Sequence, residues 1–312
     1  KDAYKEGEGN VADVNLLLIA MLKSQGVDAN PVLVSTRNNG IPLYPTTKGF
    51  NYVICMVENE GQYVLIDATE KFSSLNVLPE RVLNWQGRLV KEDGTSKWVS
   101  LMPTNQSQQS TSLNIKIEDE ENISGKVRQF ITSNLALRHN KRFQGLSNDA
   151  QIKLLEKDKG AIEISEVELA KKDKGALSLS YNYNLSDGID NIGDKLYFSP
   201  LLFMGEKENP FKLDERQYPI DFTMPLKDKY MVNIMLPEGY TVEAMPQSEV
   251  MEFKEGTAKY KFIAKQNGNF IQLSTELDLK SSIIDAADYS VFKSFFGKIV
   301  EKQAEQIVLK KI

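Results

Sequence analysis

Apolar and polar positions recur with two different periods along this chain, and the change of period divides it. From Val14 onward Leu17, Leu18, Met21 and Leu22 return at three- and four-residue spacing, which predicts an amphipathic helix. Asn10 ahead of it offers an N-cap, Asp13 a first-turn carboxylate and Gly26 a stop. PVLVSTR (31–37), FNYVICMVE (50–58) and QYVLIDAT (62–69) then read as strands, the last two joined into an antiparallel hairpin by Asn59-Glu60-Gly61. LPERVLNWQGRLV (78–90) follows, and PTNQSQQSTS (103–112), poor in apolar residues, reads as a linker.

Past that stretch the texture is strand after strand. SLNIKIED, GKVRQFITSNLALRH, AIEISEVEL, ALSLSYNYNL, YPIDFTMPL, YMVNIMLP, YTVEAMP and AKYKFIAKQNGNFIQLSTELDL alternate between turn residues, with one predicted helix at 147–157. Such a run predicts a β-sandwich rather than a βαβ sheet. Tyr289, Phe292, Phe295, Phe296, Ile299 and Val300 form a stripe at helical spacing, predicting a C-terminal helix that covers the sandwich. No fixed-period repeat occurs, which excludes solenoids and propellers.

Length and composition agree with two ordinary domains. At 312 residues the chain is long for one core, and 41% hydrophobic with 26% charged residues excludes a disordered or fibrous protein. The expected division is residues 1–102, a linker at 103–112 and a second domain at 113–312. Thirty-eight Lys and Arg against 43 Asp and Glu give a net charge of −5, without the basic excess that nucleic-acid binding requires. No apolar run approaches the ~20 residues of a membrane span. The chain opens on Lys1 and is expected to be a fragment of a longer protein.

Chemistry-bearing residues are few. A single cysteine, Cys55, excludes an internal disulfide and a cysteine-built zinc site; strand alternation places it on the face opposite Tyr52 and Ile54, as a core thiol. The one histidine, His139, stands among charged residues and reads as a solvated turn. Asp187, Asp190 and Asp194 cluster in SDGIDNIGD, but the twelfth position from Asp187 is Phe198 and not glutamate, so the stretch reads as a solvated loop rather than a calcium site. IEDEEN (117–122) reads as a charged hairpin turn. Gly7 and Gly9 lack the strand and third glycine of a dinucleotide fingerprint, and no phosphate loop occurs. No metal site and no cofactor are expected.

Three short motifs along residues 7–90 resemble the transglutaminase-like superfamily. Gly9-Asn10-Val11-Ala12-Asp13, Phe50-Asn51-Tyr52 and Ile66-Asp67-Ala68-Thr69 stand where active relatives carry Gly-x-Cys-x-Asp, Phe-Asn-His and Leu-Asp-Ala-Thr. The resemblance implies an α+β fold with a papain-like core, truncated at its N-terminus, ahead of the β-sandwich and its C-terminal helix. It also implies a degenerate triad: Val11 cannot attack a carbonyl, and a tyrosine of ordinary pKa near 10 is a poor base at neutral pH. Asp67 is then either the surviving orienting residue or a plain turn cap. NPFKLDERQYPIDFTMP and the closing IVLKK resemble the β-rich C-terminal module of bacterial multidomain proteins whose transglutaminase-like domain follows a β-rich N-terminal domain, absent here. Those proteins are mostly exported, which implies a periplasmic or cell-surface location.

The resulting expectation is a pseudoenzyme. A cleft lined by Asn10, Val11, Asp13, Asn51, Tyr52 and Asp67 would act as a binding or scaffolding surface for a peptide, protein or glycan of the bacterial envelope. The alternative is a repurposed hydrolase, peptidase or glycosidase, using Asp13, Asp67 and Tyr52 as its acid/base set.

Overall fold

A computed structural model describes residues 2–46 and 48–312. Its chain divides into two units. The first comprises residues up to Gln106, with Ser133–Lys141 and Asp173–Gly175; the second comprises Ser107–Thr132, Arg142–Lys172 and Ala176–Ile312.

In the first unit a short helix α1 (Asp2–Glu6) precedes α2 (Val11–Ser24). The α2 start is a capping box: Asn10 Oδ1 accepts the Asp13 N–H at 3.0 Å, and Asp13 Oδ2 accepts the Asn10 N–H at 3.0 Å. Five strands follow, β1 (Ala29–Val34), β2 (Tyr52–Asn59), β3 (Gln62–Ile66), β4 (Gln86–Val90) and β5 (Ser96–Ser100). They form one antiparallel sheet in the order β3-β2-β1-β4-β5. The interior strand β2 is buried on both faces, which is why VICM is a continuous apolar run rather than an alternating one. Cys55 packs with Ala29 and with Ile19, Leu18 and Leu22 of α2. Ile54 and Met56 meet Leu78, Val82, Leu83 and Leu101 on the other side. The Cys55 thiol is fully buried, and that burial pushes its pKa up to about 11.

The second unit is built on β6 (Ser107–Ile117), β7 (Ile123–Ile131), β8 (Ile162–Lys171), β9 (Leu177–Leu185), β10 (Asp190–Ile192), β11 (Lys195–Phe198), β12 (Ile220–Asp221), β13 (Leu226–Met235), β14 (Tyr240–Ala244), β15 (Glu249–Phe253), β16 (Ala258–Asn267), β17 (Phe270–Leu279), β18 (Ile283–Ile284) and β19 (Ile307–Lys311). Its helices are α3 (Ser133–Phe143), whose first nine residues group with the first unit, α4 (Asn148–Glu156) and α5 (Tyr289–Ala304). Eight strands make one sheet, β15-β16-β17-β13-β6-β7-β9-β8, antiparallel except where β6 runs parallel to β13. A smaller sheet, β10-β11-β19-β14, shares its core. Strict alternation buries one face of the large sheet, with Leu113, Val127, Tyr181, Val232, Phe262 and Leu273 inside. The other face carries cross-strand ion pairs such as Lys227 with Asp278 and Lys229 with Glu276, both at 2.9 Å. Phe292, Phe295, Phe296 and Ile299 of α5 bury into the same core, where Phe211 meets Phe292 and Phe296 edge-on at 5.2 Å.

Three expectations are corrected. The fold is predominantly β, 41% strand against 22% helix in several sheets, and the described residues show no clear papain-like α+β core. Among the described residues between Ala29 and Ser100 the first unit is strand, turn and single helical turns, so α2 is the one long helix described in it apart from the α3 segment. The residues 107–112 are no linker but the first half of β6. Serine, threonine and glutamine are tolerated there because the strand is hydrogen-bonded on both edges, with Ser107 and Thr111 buried and Gln129 donating to Thr111 Oγ1 at 3.1 Å. Finally, residues 133–143 are helical, so His139 is a half-buried helix residue and not a solvated turn. Asn134, Leu137 and Asn140 are buried at three-residue spacing, a period that the polar content of the segment hides.

Candidate functional site

The start of β2 and the end of β3 bring Tyr52 and Asp67 together. Tyr52 Oη lies 2.8 Å from Asp67 Oδ2 and 2.9 Å from Thr69 Oγ1. Thr69 spends its one hydroxyl proton on Asp67 Oδ1 at 2.6 Å, and its backbone N–H reaches the same oxygen at 3.0 Å. The phenolic proton of Tyr52 therefore goes to Asp67 Oδ2. Asn15, on α2 and fully buried, donates to Asp67 Oδ1 at 3.1 Å and to the Val53 carbonyl at 3.0 Å, while its Oδ1 accepts the Ala68 N–H at 2.8 Å. That amide ties helix to hairpin.

Arg81, in the single turn Glu80–Val82, closes the group from outside. Its Nε and Nη2 donate to Tyr52 Oη at 3.1 and 2.8 Å, and Nη2 lies 3.6 Å from Asp67 Oδ2. Nη1 meets Glu70 Oε2 at 3.3 Å, and Lys141 pairs with the same carboxylate. The buried carboxylate of Asp67 thus has partners on both oxygens, as a desolvated charge requires. Burial raises the Tyr52 pKa above its usual 10; Thr69 and Arg81 pull it back, and the Asp67 carboxylate pushes it further up. At neutral pH the phenol holds its proton, a donor rather than a base.

The other expected site residues have other work. Asn10 and Asp13 are exposed and bonded to each other in the α2 cap. Asn51 accepts the Thr36 N–H and donates to Thr36 Oγ1, both at 2.9 Å. Val11 is the first residue of α2, half-buried, one helical turn before Asn15 and on its face. The helix thus reaches Asp67 with an amide and not with the residue at the expected nucleophile position. Sequence reasoning missed Asn15, although an asparagine amid the apolar stripe was a readable signal. Thr69 stood in the Ile66-Asp67-Ala68-Thr69 motif without a role read for it, whereas Arg81, Glu70 and Lys141 carried no signal, because no local pattern ties them to Tyr52.

Beside Arg81 lies a cavity of about 240 Å³, walled by Pro79, Asn134 and Leu137 and rimmed by Arg81, Arg138 and Lys141. Asp67 and Glu70 sit beneath, with side chains 0% and 8% exposed, whereas Glu80, also on the cavity wall, is 42% exposed and pairs with Arg138 at 2.6 Å; the three cations are 39–46% exposed. Among the described residues no group of three or more His, Cys, Asp and Glu is placed to hold a metal ion, and no helix is long and apolar enough to cross a membrane.

Residues 194–309 of the second unit match DUF3858, a domain of unknown function with a solved structure. No curated protein matches the chain. In structure the chain is similar to a crystallised, supposed protease of Parabacteroides distasonis, at 14% identity and a TM-score of 0.51. The likeness takes in 98% of this chain and 45% of that one, so the chain spans less than half of that protein's length. At this identity it is a likeness of fold. An M1 zinc metallopeptidase of Deinococcus radiodurans is 7% identical over 65% of this chain and 41% of its own, with a TM-score of 0.19.

Proposed function

We propose that the first unit descends from a transglutaminase-like ancestor, without its papain-like core or its chemistry, and serves as a non-catalytic binding or scaffolding module. The observation that carries this reading is the closure of the Tyr52–Asp67 group: Tyr52, Thr69, Asn15 and Arg81 occupy the carboxylate, leaving neither a free base nor a nucleophile. The cavity lined by Arg81, Arg138, Lys141 and Glu80 is the ligand site, sized for a carboxylate-bearing side chain or terminus that takes the place of Glu80 on Arg138. In the envelope, periplasmic or at the cell surface, the ligand is a peptide, protein or glycan with such a group. The hydrolase alternative loses Asp13 to the helix cap.

Calorimetric titration with acidic peptides and peptidoglycan fragments tests the reading. Binding that falls at least tenfold in Arg138→Ala and Lys141→Ala supports it. Hydrolysis of any of these probes, abolished in Asp67→Asn, overturns it.

A further inference from the structure

Lys159 lies in the turn between α4 and β8, on the wall of a second cavity of about 240 Å³ within the second unit. Asp187, Asp190, Tyr197, Ser199 and Lys207 also line it. The Lys159 ammonium stands over two buried rings, 5.8 Å from the Tyr181 centroid and 5.4 Å from that of Phe203, and pairs with no carboxylate among the described residues. Asp187, on the same cavity wall, is engaged elsewhere: its Oδ2 accepts the Ala161 N–H at 3.0 Å. Gly160 makes that approach possible. Its φ is +79°, and a Cβ there would lie 2.6 Å from Asp187 Oδ2, so the turn is fixed and the lysine before it is aimed. The rings attract the ammonium, but burial without a carboxylate partner works against its charge, and a lysine desolvated in this way at a cavity wall can serve as a nucleophilic amine.

We propose that Lys159 is a Schiff-base-forming residue, and that its cavity takes a small carbonyl compound whose carboxylate is met by Lys207. The Nζ lone pair forms the C–N bond while the carbonyl π pair moves to oxygen, which takes up a proton. The carbinolamine then loses its oxygen as water, with the second Nζ proton, leaving C=N; no electron is gained or lost. Burial and the charge of Arg142 lower the Lys159 pKa to about 8, so half of the amine is neutral at that pH. Asp187, Asp190, Tyr197 and Lys207 are the other ionisable groups facing the cavity.

The test is reductive trapping on the full chain with glyoxylate and sodium cyanoborohydride at pH 8, read by peptide mass spectrometry, with exposed Lys157 as internal reference. At pH 8 the neutral fraction of Lys159 exceeds that of an ordinary lysine by roughly a hundredfold; nucleophilicity falling with basicity leaves about a tenfold faster carboxymethylation. The rate should rise with pH about a midpoint near 8. Lys207→Ala should slow trapping of glyoxylate more than trapping of the uncharged glycolaldehyde. Carboxymethylation of Lys159 no faster than that of Lys157 overturns the nucleophile. Equal effects of Lys207→Ala on both aldehydes overturn the carboxylate-bearing ligand.

Discussion

Replacing Tyr52 by phenylalanine removes one hydroxyl and leaves the ring in place. That hydroxyl donates to Asp67 Oδ2 at 2.8 Å and accepts from Arg81 at 2.8 and 3.1 Å. Asp67 Oδ1 keeps Asn15 and Thr69, so the loss falls on Oδ2, whose other neighbour is Arg81 Nη2 at 3.6 Å. A buried carboxylate oxygen that loses a donor costs about 1–3 kcal/mol, and the guanidinium, moving in by less than an ångström, holds the cost toward the lower half. Tyr44, 68% exposed, is the control, with Tyr44→Phe costing about zero. Denaturant melts of Tyr52→Phe, Asp67→Asn and the double variant form a cycle. Its coupling should be about 1 kcal/mol or more. Additive effects with coupling below about 0.3 kcal/mol would refute the pairing and, with it, the reading of Asp67 as more than a turn cap.

Asp228, on the inner face of β13 with Oδ1 lacking a hydrogen-bond partner, has its pKa pushed by burial to about 7. A raised folded-state pKa means stability present at pH 4 and lost as pH rises through 7, so Asp228→Asn should gain about 3–4 kcal/mol on wild type between pH 4 and pH 8; a pH-independent difference in paired melts would contradict this. Gly125→Ala should cost about 2–4 kcal/mol, because its Cβ would lie 2.0 Å from the Asn114 carbonyl oxygen and 2.6 Å from Tyr183 Oη, which crosses β7 at that glycine to bond the same carbonyl. A melt within 0.5 kcal/mol of wild type would show the crossing to be loose. Asn10→Ala should cost about 1 kcal/mol through the α2 cap, with loss of amide protection in its first turn.

What the sequence disclosed was local. The α2 start was legible in Asn10 and Asp13, and the hairpin in Asn59-Glu60-Gly61, because a cap and a turn involve neighbours three or four residues apart. The side of Cys55 followed from alternation, and the α5 stripe from helical spacing. The first half of β6 was not legible, since its polar residues become strand only between β13 and β7, one of them more than 100 residues away in sequence. The α+β expectation came from three motifs and not from the balance of elements, which is mostly strand. Likewise Tyr52 and Asp67 could be paired from adjoining strands, whereas Arg81 arrives from a turn that no periodicity connects to them.

The central claim is that the Tyr52–Asp67 group is closed and inert, and the protonation of Tyr52 itself tests it most directly. With tyrosine labelled at Cζ, the carbon shift of Tyr52, assigned by comparison with Tyr52→Phe, should stay at its phenol value through neutral pH and titrate at a higher pH than an exposed tyrosine. A Tyr52 signal titrating near pH 7 would mean a base competent for catalysis, and would contradict the account.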